Sequence, residues 1–198
     1  MWHESIPLEG RFVRLIPLGL EHAAAMLEHF DPEALRYMAL TPREATLAAM
    51  EEYIRSLLAA PDRVNWAILD RASNRIAGRT GYVRVNPAHR SVEITTWIFT
   101  PFQGSHVNPE SKYLLLEHAF ETLGAIRVQL RADARNLRSR RAIEKLGATL
   151  EGILRKDQIY PTGEVRDTAV YSIVDEEWPR VRARLRARLY GELAPELD

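Results

Sequence analysis

The segment from Val92 to Arg131 constrains this chain more than any other, because it asks for a strand, a helix and a second strand in that order. Val92–Phe99 is rich in β-branched and aromatic residues. Pro109–Leu123 then sets Leu116, Ala119, Phe120 and Leu123 along one helical face, with Gly124 as its C-cap. Ile126, Val128 and Leu130 alternate with Arg127, Gln129 and Arg131, so a strand follows. Two strands joined through a helix need a crossover, which makes them a parallel pair.

The flanking segments are read by the same periodicities. A strand is expected at Arg11–Ile16, then helices at His22–Phe30 and Pro42–Ala60, the second capped by Thr41 with Glu44 three residues on. Strands at Trp66–Asp70 and Ile76–Val85 precede Val92–Phe99 and form an antiparallel meander with it. Asn136 opens a further helix that Gly147 closes, and strands at Leu150–Tyr160 and Val165–Ile173 flank the Pro161-Thr162-Gly163 turn. Trp178, Val181, Leu185 and Leu189 mark an amphipathic helix at about 175–191. The result is an α+β chain with a mostly antiparallel seven-stranded sheet, read as a single domain over 1–198.

A length of 198 residues with 46% apolar content is enough to bury a sizeable core and short for two independent domains. Basic and acidic residues both number 27, so no global field recruits nucleic acid or an anionic membrane, and any charged ligand must meet a local patch. Only Lys112, Lys145 and Lys156 are lysines; the arginine bias suits phosphate recognition and fits GC-rich coding as well. The chain lacks cysteine, which excludes thiol catalysis and thiolate metal sites, and its six histidines show no zinc-site spacing, so no metal is expected. Without a leader-like start or an apolar run of about 18 residues, a soluble cytoplasmic protein is expected.

Two segments carry candidate chemistry. The first runs from strand Val92–Phe99 through Gln103, Gly104, Ser105, His106 and Val107 into a helix with Asn108 as N-cap and Pro109 at its first position. Unsatisfied N–H groups and the helix dipole at such a start accept a phosphate or pyrophosphate, although an ordinary helix start has the same sequence. The second segment, Arg131 to Ala148, crowds six basic residues at one strand-to-helix junction, with Asn136 and Ser139 beside them. These could hold the outlying phosphate of a nucleotide, or they could form a solvated helix face capped by Asn136.

Together, the Gly104–Glu110 helix start, the run Asn136-Leu137-Arg138-Ser139-Arg140-Arg141-Ala142-Ile143-Glu144-Lys145-Leu146-Gly147-Ala148 and the continuation Glu151-Gly152-Ile153-Leu154-Arg155 resemble the GNAT acetyltransferases. The likeness covers most of the chain and is closest to the ribosomal-protein N-terminal acetyltransferases of the RimJ/RimL type. The loop departs from the family rule of Gln or Arg, two residues, Gly, one residue, then Gly or Ala, because Pro101 and His106 hold the outer places.

The resemblance implies a GNAT fold with helices on both sheet faces and a splay between the strands at Val92–Phe99 and Ile126–Arg131 that admits acetyl-CoA. It implies direct attack of an amine on the thioester. Cofactor contacts fall to Gln103, Gly104, Ser105, His106, Val107, Asn108, Asn136, Arg138, Ser139 and Arg141, with Arg135 or Arg140 as further candidates for the 3′-phosphate. Glu93 is the candidate base, a carboxylate in an otherwise apolar and β-branched strand, and it reads equally as a surface glutamate on an alternating strand. Ser139 is the implied acid for the leaving thiolate, with Tyr160 and Tyr171 as alternatives, and an amide near Gln129–Arg131 is the implied oxyanion donor.

The implied acceptor is a protein N-terminal α-amine, such as that of a ribosomal protein; small amines and antibiotics are acceptors in the same branch. Glu28, Asp31, Glu33 and Glu44 could attract a cationic acceptor, or simply form a solvated face. A regulatory CoA-binding module without turnover and an RNA-binding protein using the basic cluster are the readings from other classes. The terminal helix and an exposed edge strand could support a homodimer.

Overall fold

The computed structural model describes residues 1–191. Its sheet has eight strands: β1 (Leu8–Glu9), β2 (Val13–Pro17), β3 (Val64–Asp70), β4 (Arg75–Asn86), β5 (Ser91–Ile98), β6 (Arg127–Asp133), β7 (Thr149–Ile159) and β8 (Val165–Val174). The spatial order is β1-β2-β3-β4-β5-β6-β8-β7. The strand beyond the expected seven is β1, a two-residue element too short to show a period. Its partner β2 starts at Val13 rather than Arg11 because the amides of Arg11, Phe12 and Val13 all donate to the Glu110 carboxylate.

All neighbouring strands are antiparallel except β5 and β6. Their parallel pairing runs from Ser91 opposite Arg127 to Ile94 opposite Leu130 and stops there. β5 nevertheless continues to Ile98 and β6 to Asp133, so the two strands part. The expected splay is therefore present, between Thr95–Ile98 and Arg131–Asp133.

Among the described residues six α-helices cover the sheet: α1 (Ala23–Glu28), α2 (Pro32–Leu35), α3 (Leu47–Ala59), α4 (Val107–Glu117), α5 (Leu137–Leu146) and α6 (Trp178–Tyr190). Residues alternate between the faces of a strand, and two cores result. Ile94, Val128 and Leu130 face Val107 and Leu115 of α4, Ile143 and Leu146 of α5, and Val181 and Leu185 of α6. Ala67 and Trp97 face the other way, onto Met26, Met50, Ile54 and Leu57 of α1 and α3. The terminal helix thus buries its apolar stripe within its own chain.

Several helix boundaries differ from expectation. α3 is capped by Thr46, whose hydroxyl accepts the Ala49 N–H at 3.2 Å, and not by Thr41. α2, opened by Asp31 and Pro32, is one turn long and too short to show periodicity. α4 begins at Val107, so His106 rather than Asn108 is its N-cap. Pro109 still lies in the first turn, where its missing N–H has no intrahelical partner to lose. α4 ends at Glu117, and a π-helical turn at His118–Thr122 completes the segment before Gly124. α5 begins after Asn136 and ends at Gly147, as its sequence indicates. Gly147 has φ +101°, a left-handed value that a side chain rarely tolerates. Among the described residues no helix is long and apolar enough to cross a membrane.

Candidate active site

A cavity of about 1110 Å³ occupies the gap between β5 and β6 and opens on both faces of the sheet. On the side of α4 and α5 its wall includes Gln103, Gly104, Ser105, Asn108, Asn136, Arg138, Ser139 and Arg141. Eight of the ten expected cofactor contacts are therefore brought together. The side chains of the other two turn elsewhere. Val107 is fully buried in the core. His106 stacks on Phe12 with ring centroids 4.8 Å apart, and its Nε2 lies 3.1 Å from the Asp70 carboxylate.

The two walls on this side touch. Arg138 donates to the Gln103 side-chain oxygen at 2.5 Å, and Gln103 donates its amide to the Ile98 carbonyl at 3.1 Å. Gly104 has φ +79° with open space around its Cα, so its backbone angle, not crowding, calls for glycine. Ser105 Oγ donates to the Phe102 carbonyl and accepts the Val107 N–H at 3.2 Å, which commits one amide of the helix start. Asn136 spends its side-chain oxygen on the Ser139 N–H at 3.0 Å, leaving Nδ2 to donate.

On the opposite face stands Glu93, directly beside the last paired residues. Its carboxylate accepts from Gln129 Nε2 at 3.1 Å and lies 3.6 Å from Arg84 Nε. Burial raises its pKa above the ordinary glutamate value, while Arg84, Arg131, Gln129 and Arg166 pull it back down. Its side chain is 14% exposed, so the reading of Glu93 as a surface residue fails.

Several cavity residues were not singled out by sequence. Arg79 of β4, fully buried, donates Nε to the Tyr53 hydroxyl at 2.7 Å, and its Nη1 has no partner. Lys112 of α4 is also buried and donates to Thr96 Oγ1, which in turn lies 2.7 Å from Thr80 Oγ1. Desolvation, then the charge of Arg79, brings the Lys112 pKa down to about 7. In sequence Lys112 stands out only as the single cation of α4, whereas Arg79 shares β4 with Arg75 and Arg84 and is marked only by the glycines at 78 and 81.

Of the basic residues between Arg131 and Lys145, Arg138, Arg141 and Lys145 border the cavity on the α5 side. Arg135 is paired with Asp133 and Glu164, and Arg140 donates to the Tyr171 hydroxyl and the Ala134 carbonyl, so neither joins the cavity wall. Arg131 faces the other way and pairs with Asp157 beside Glu93. Tyr160 donates to Asp133 at the end of β6 and Tyr171 to Glu144, and neither tyrosine joins the cavity wall; burial pushes the Tyr160 hydroxyl up to about 12.

A family model described as "Acetyltransferase (GNAT) domain" matches residues 13–149, more than half of the chain. The chain belongs to the GNAT acetyltransferase family. A solved structure from T. thermophilus, described as a "putative acetyltransferase", is 50% identical, covering 96% of this chain and all of the other at TM-score 0.91. A GCN5-related N-acetyltransferase from Brucella melitensis is 31% identical over 98% of this chain and 87% of its own, at TM-score 0.88. The Bacillus subtilis protein named "Putative ribosomal N-acetyltransferase YdaF" is 31% identical over 103 residues, a match spanning 52% of this chain and 56% of that relative.

As a GNAT member the protein is an acetyl-CoA-dependent acyltransferase, and the residues at the gap fit that cosubstrate. The edges of β5 and β6 are unpaired with each other beyond Ile94 and Leu130, which leaves backbone groups for a pantetheine amide chain. The Arg138, Arg141 and Lys145 cations suit its phosphates.

Proposed function

We propose that this GNAT enzyme acetylates the α-amine of a protein chain, with Glu93 accepting the amine's proton and Ser139 returning one to the departing thiolate. The observation that carries the reading is the position of Glu93. It lies on the face opposite α4 and α5, one step before the strands part, so an amine at its carboxylate looks through the gap toward the cofactor wall.

Acetyl-CoA supplies the activated acetyl group. The chain's own residues supply position and proton transfer. Gln103, Gly104, Asn108, Asn136, Arg138 and Arg141 hold the cosubstrate on one side, while Glu93 takes a proton from nitrogen as the new C–N bond forms, directly or through one water. Ser139, at the first turn of α5, gives its hydroxyl proton to sulfur as the C–S bond breaks. A free strand-edge amide of β6 near Arg131 is the donor for the developing oxyanion. The nearby arginines favour a neutral rather than protonated amine, the form that attacks.

Likeness to a protein named for ribosomal N-acetylation supports the protein α-amine as acceptor, and such a substrate fits a cytoplasmic enzyme. The test is mass spectrometry of N-terminal peptides of ribosomal proteins and of small amines after incubation with acetyl-CoA. Acetylation on peptide α-amines is the expected result. Acetylation confined to small amines would move the acceptor class, and tight CoA binding without transfer to any amine would remove the transferase reading.

A further inference from the structure

Of the acidic residues that sequence offered as bait for a cationic acceptor, only Asp31 and Glu33 line the cavity, while Glu44 is exposed outside it. Glu33 holds Arg36, and Glu28 holds Arg75. The inner surface on Glu93's side has the opposite character. Register puts Arg79 opposite Trp97, Glu93 opposite Gln129, and Arg131 opposite Val170. Arg166, four residues before Val170 on β8, shares that face. Arg79, Arg131 and Arg166 thus project from one side of the sheet into one cavity.

The three are buried and incompletely satisfied. Arg79 and Arg166 are 1% and 7% exposed, and neither has a carboxylate partner among the described residues. Arg79 Nη1, Arg131 Nε and Arg166 Nε are buried without hydrogen-bond acceptors. Arg131 alone is matched, by Asp157. Glu93 is the carboxylate whose charge both Arg131 and Arg166 feel, and it also lies 3.6 Å from Arg84 Nε. Burying cations in surplus over anions is unfavourable unless a ligand completes the set, and planar guanidiniums with free N–H groups are suited to oxyacid anions.

Resting on the transferase reading above, we infer that the acceptor is an anionic amine: its nitrogen comes to Glu93 while a carboxylate or phosphate a few bonds away is held by Arg79, Arg131 and Arg166. An acidic residue next to a chain's N-terminal residue satisfies this, and so does a small amino acid or aminoalkyl phosphate. The cofactor's own phosphates are not the anion in question, since Arg138, Arg141 and Lys145 stand on the α5 side of the gap.

The test compares matched acceptors in the intact protein. Peptides beginning Ser-Glu and Ser-Gln, and the small pair 2-aminoethyl phosphate and ethanolamine, are assayed with saturating acetyl-CoA for wild type, Arg79→Gln and Arg166→Gln. The anionic member of at least one pair should be used at least tenfold more efficiently, with the preference lost in both variants while CoA affinity is kept. Which pair responds separates a chain end from a small molecule. Equal use of both members, or a preference for the neutral ones, would overturn the inference and leave the transferase reading intact.

Failure with every acceptor would count against the transferase reading, and a binding measurement then decides the inference. Calorimetric titration of the CoA-saturated protein with inorganic phosphate should show binding that Arg166→Gln weakens at least tenfold. No phosphate binding, or binding that both variants leave unchanged, would overturn it. Arg79→Gln also breaks the bond to Tyr53, so the more peripheral Arg166 serves as the second variant if the first melts early.

Discussion

Arg138 of α5 and Gln103 of the loop before α4 are joined by a hydrogen bond of 2.5 Å across the entrance on the cofactor side. Gln103 is anchored in turn to the last residue of β5. The pair holds the loop that carries Gly104 against the helix that carries Ser139. Arg138→Ala should therefore raise the KM for acetyl-CoA by about tenfold, the equivalent of one such charge-assisted bond, and leave kcat nearly unchanged. Initial rates at varied acetyl-CoA check this; an unchanged KM would mean that the pair has no part in cofactor binding.

Glu93 should govern turnover. Glu93→Gln keeps the acceptor of the Gln129 bond but cannot take a proton, so kcat should fall by about 100-fold or more with CoA affinity intact. Burial raises the Glu93 pKa, so the wild-type enzyme should lose kcat/KM on the acid side at a higher pH than an ordinary glutamate would dictate. A pH–rate profile with the same acid limb in wild type and Glu93→Gln would assign that limb to another group.

Lys112 ties stability to alkaline pH. Its pKa of about 7 in the folded chain lies below the usual lysine value of 10.5. Between those values the unfolded chain binds the proton and the folded chain does not, so stability rises with pH through that window. The slope contributed is up to about 1.4 kcal/mol per pH unit. Urea denaturation at several pH values from 7 to 10 should show this slope in wild type and its absence in Lys112→Met. Parallel profiles would show that Lys112 titrates normally.

Glu110 should be a stability determinant remote from the chemistry. Its fully buried carboxylate accepts the amides of Arg11, Phe12 and Val13 and the hydroxyl of Tyr190, pinning β2 and α6 to α4. Glu110→Ala strands those donors and should cost about 3 kcal/mol or more, read as a lowered urea midpoint. Glu110→Gln, which keeps an acceptor oxygen, should lose less.

The residues that announced themselves in the sequence are those whose role is local. Asn136 and Gly147 cap the helix they flank, and the parallel pair of β5 and β6 follows from strand–helix–strand order. Glu93 stood out as a carboxylate among apolar neighbours. Glu110 gave no signal, since its partners lie 80 to 99 positions away and nothing near it indicates a shared contact. Arg79 was hidden inside an ordinary-looking strand, although Gly78 and Gly81 beside it mark close backbone approach: a Cβ on either would stand 2.2–2.3 Å from a neighbouring carbonyl. Arg131 was grouped with basic residues next to it in sequence, and only the alternation of β6 separates it to the other face.

The gap between β5 and β6 has one opening beneath α4 and α5 and another beside Glu93. A molecule seated in the first leaves the second clear, so neither reactant has to depart before the other arrives. Kinetics should accordingly show intersecting double-reciprocal lines, with no partial exchange between acetyl-CoA and free CoA in the absence of amine. A slot with two doors lets this chain work as a meeting place and never as a carrier.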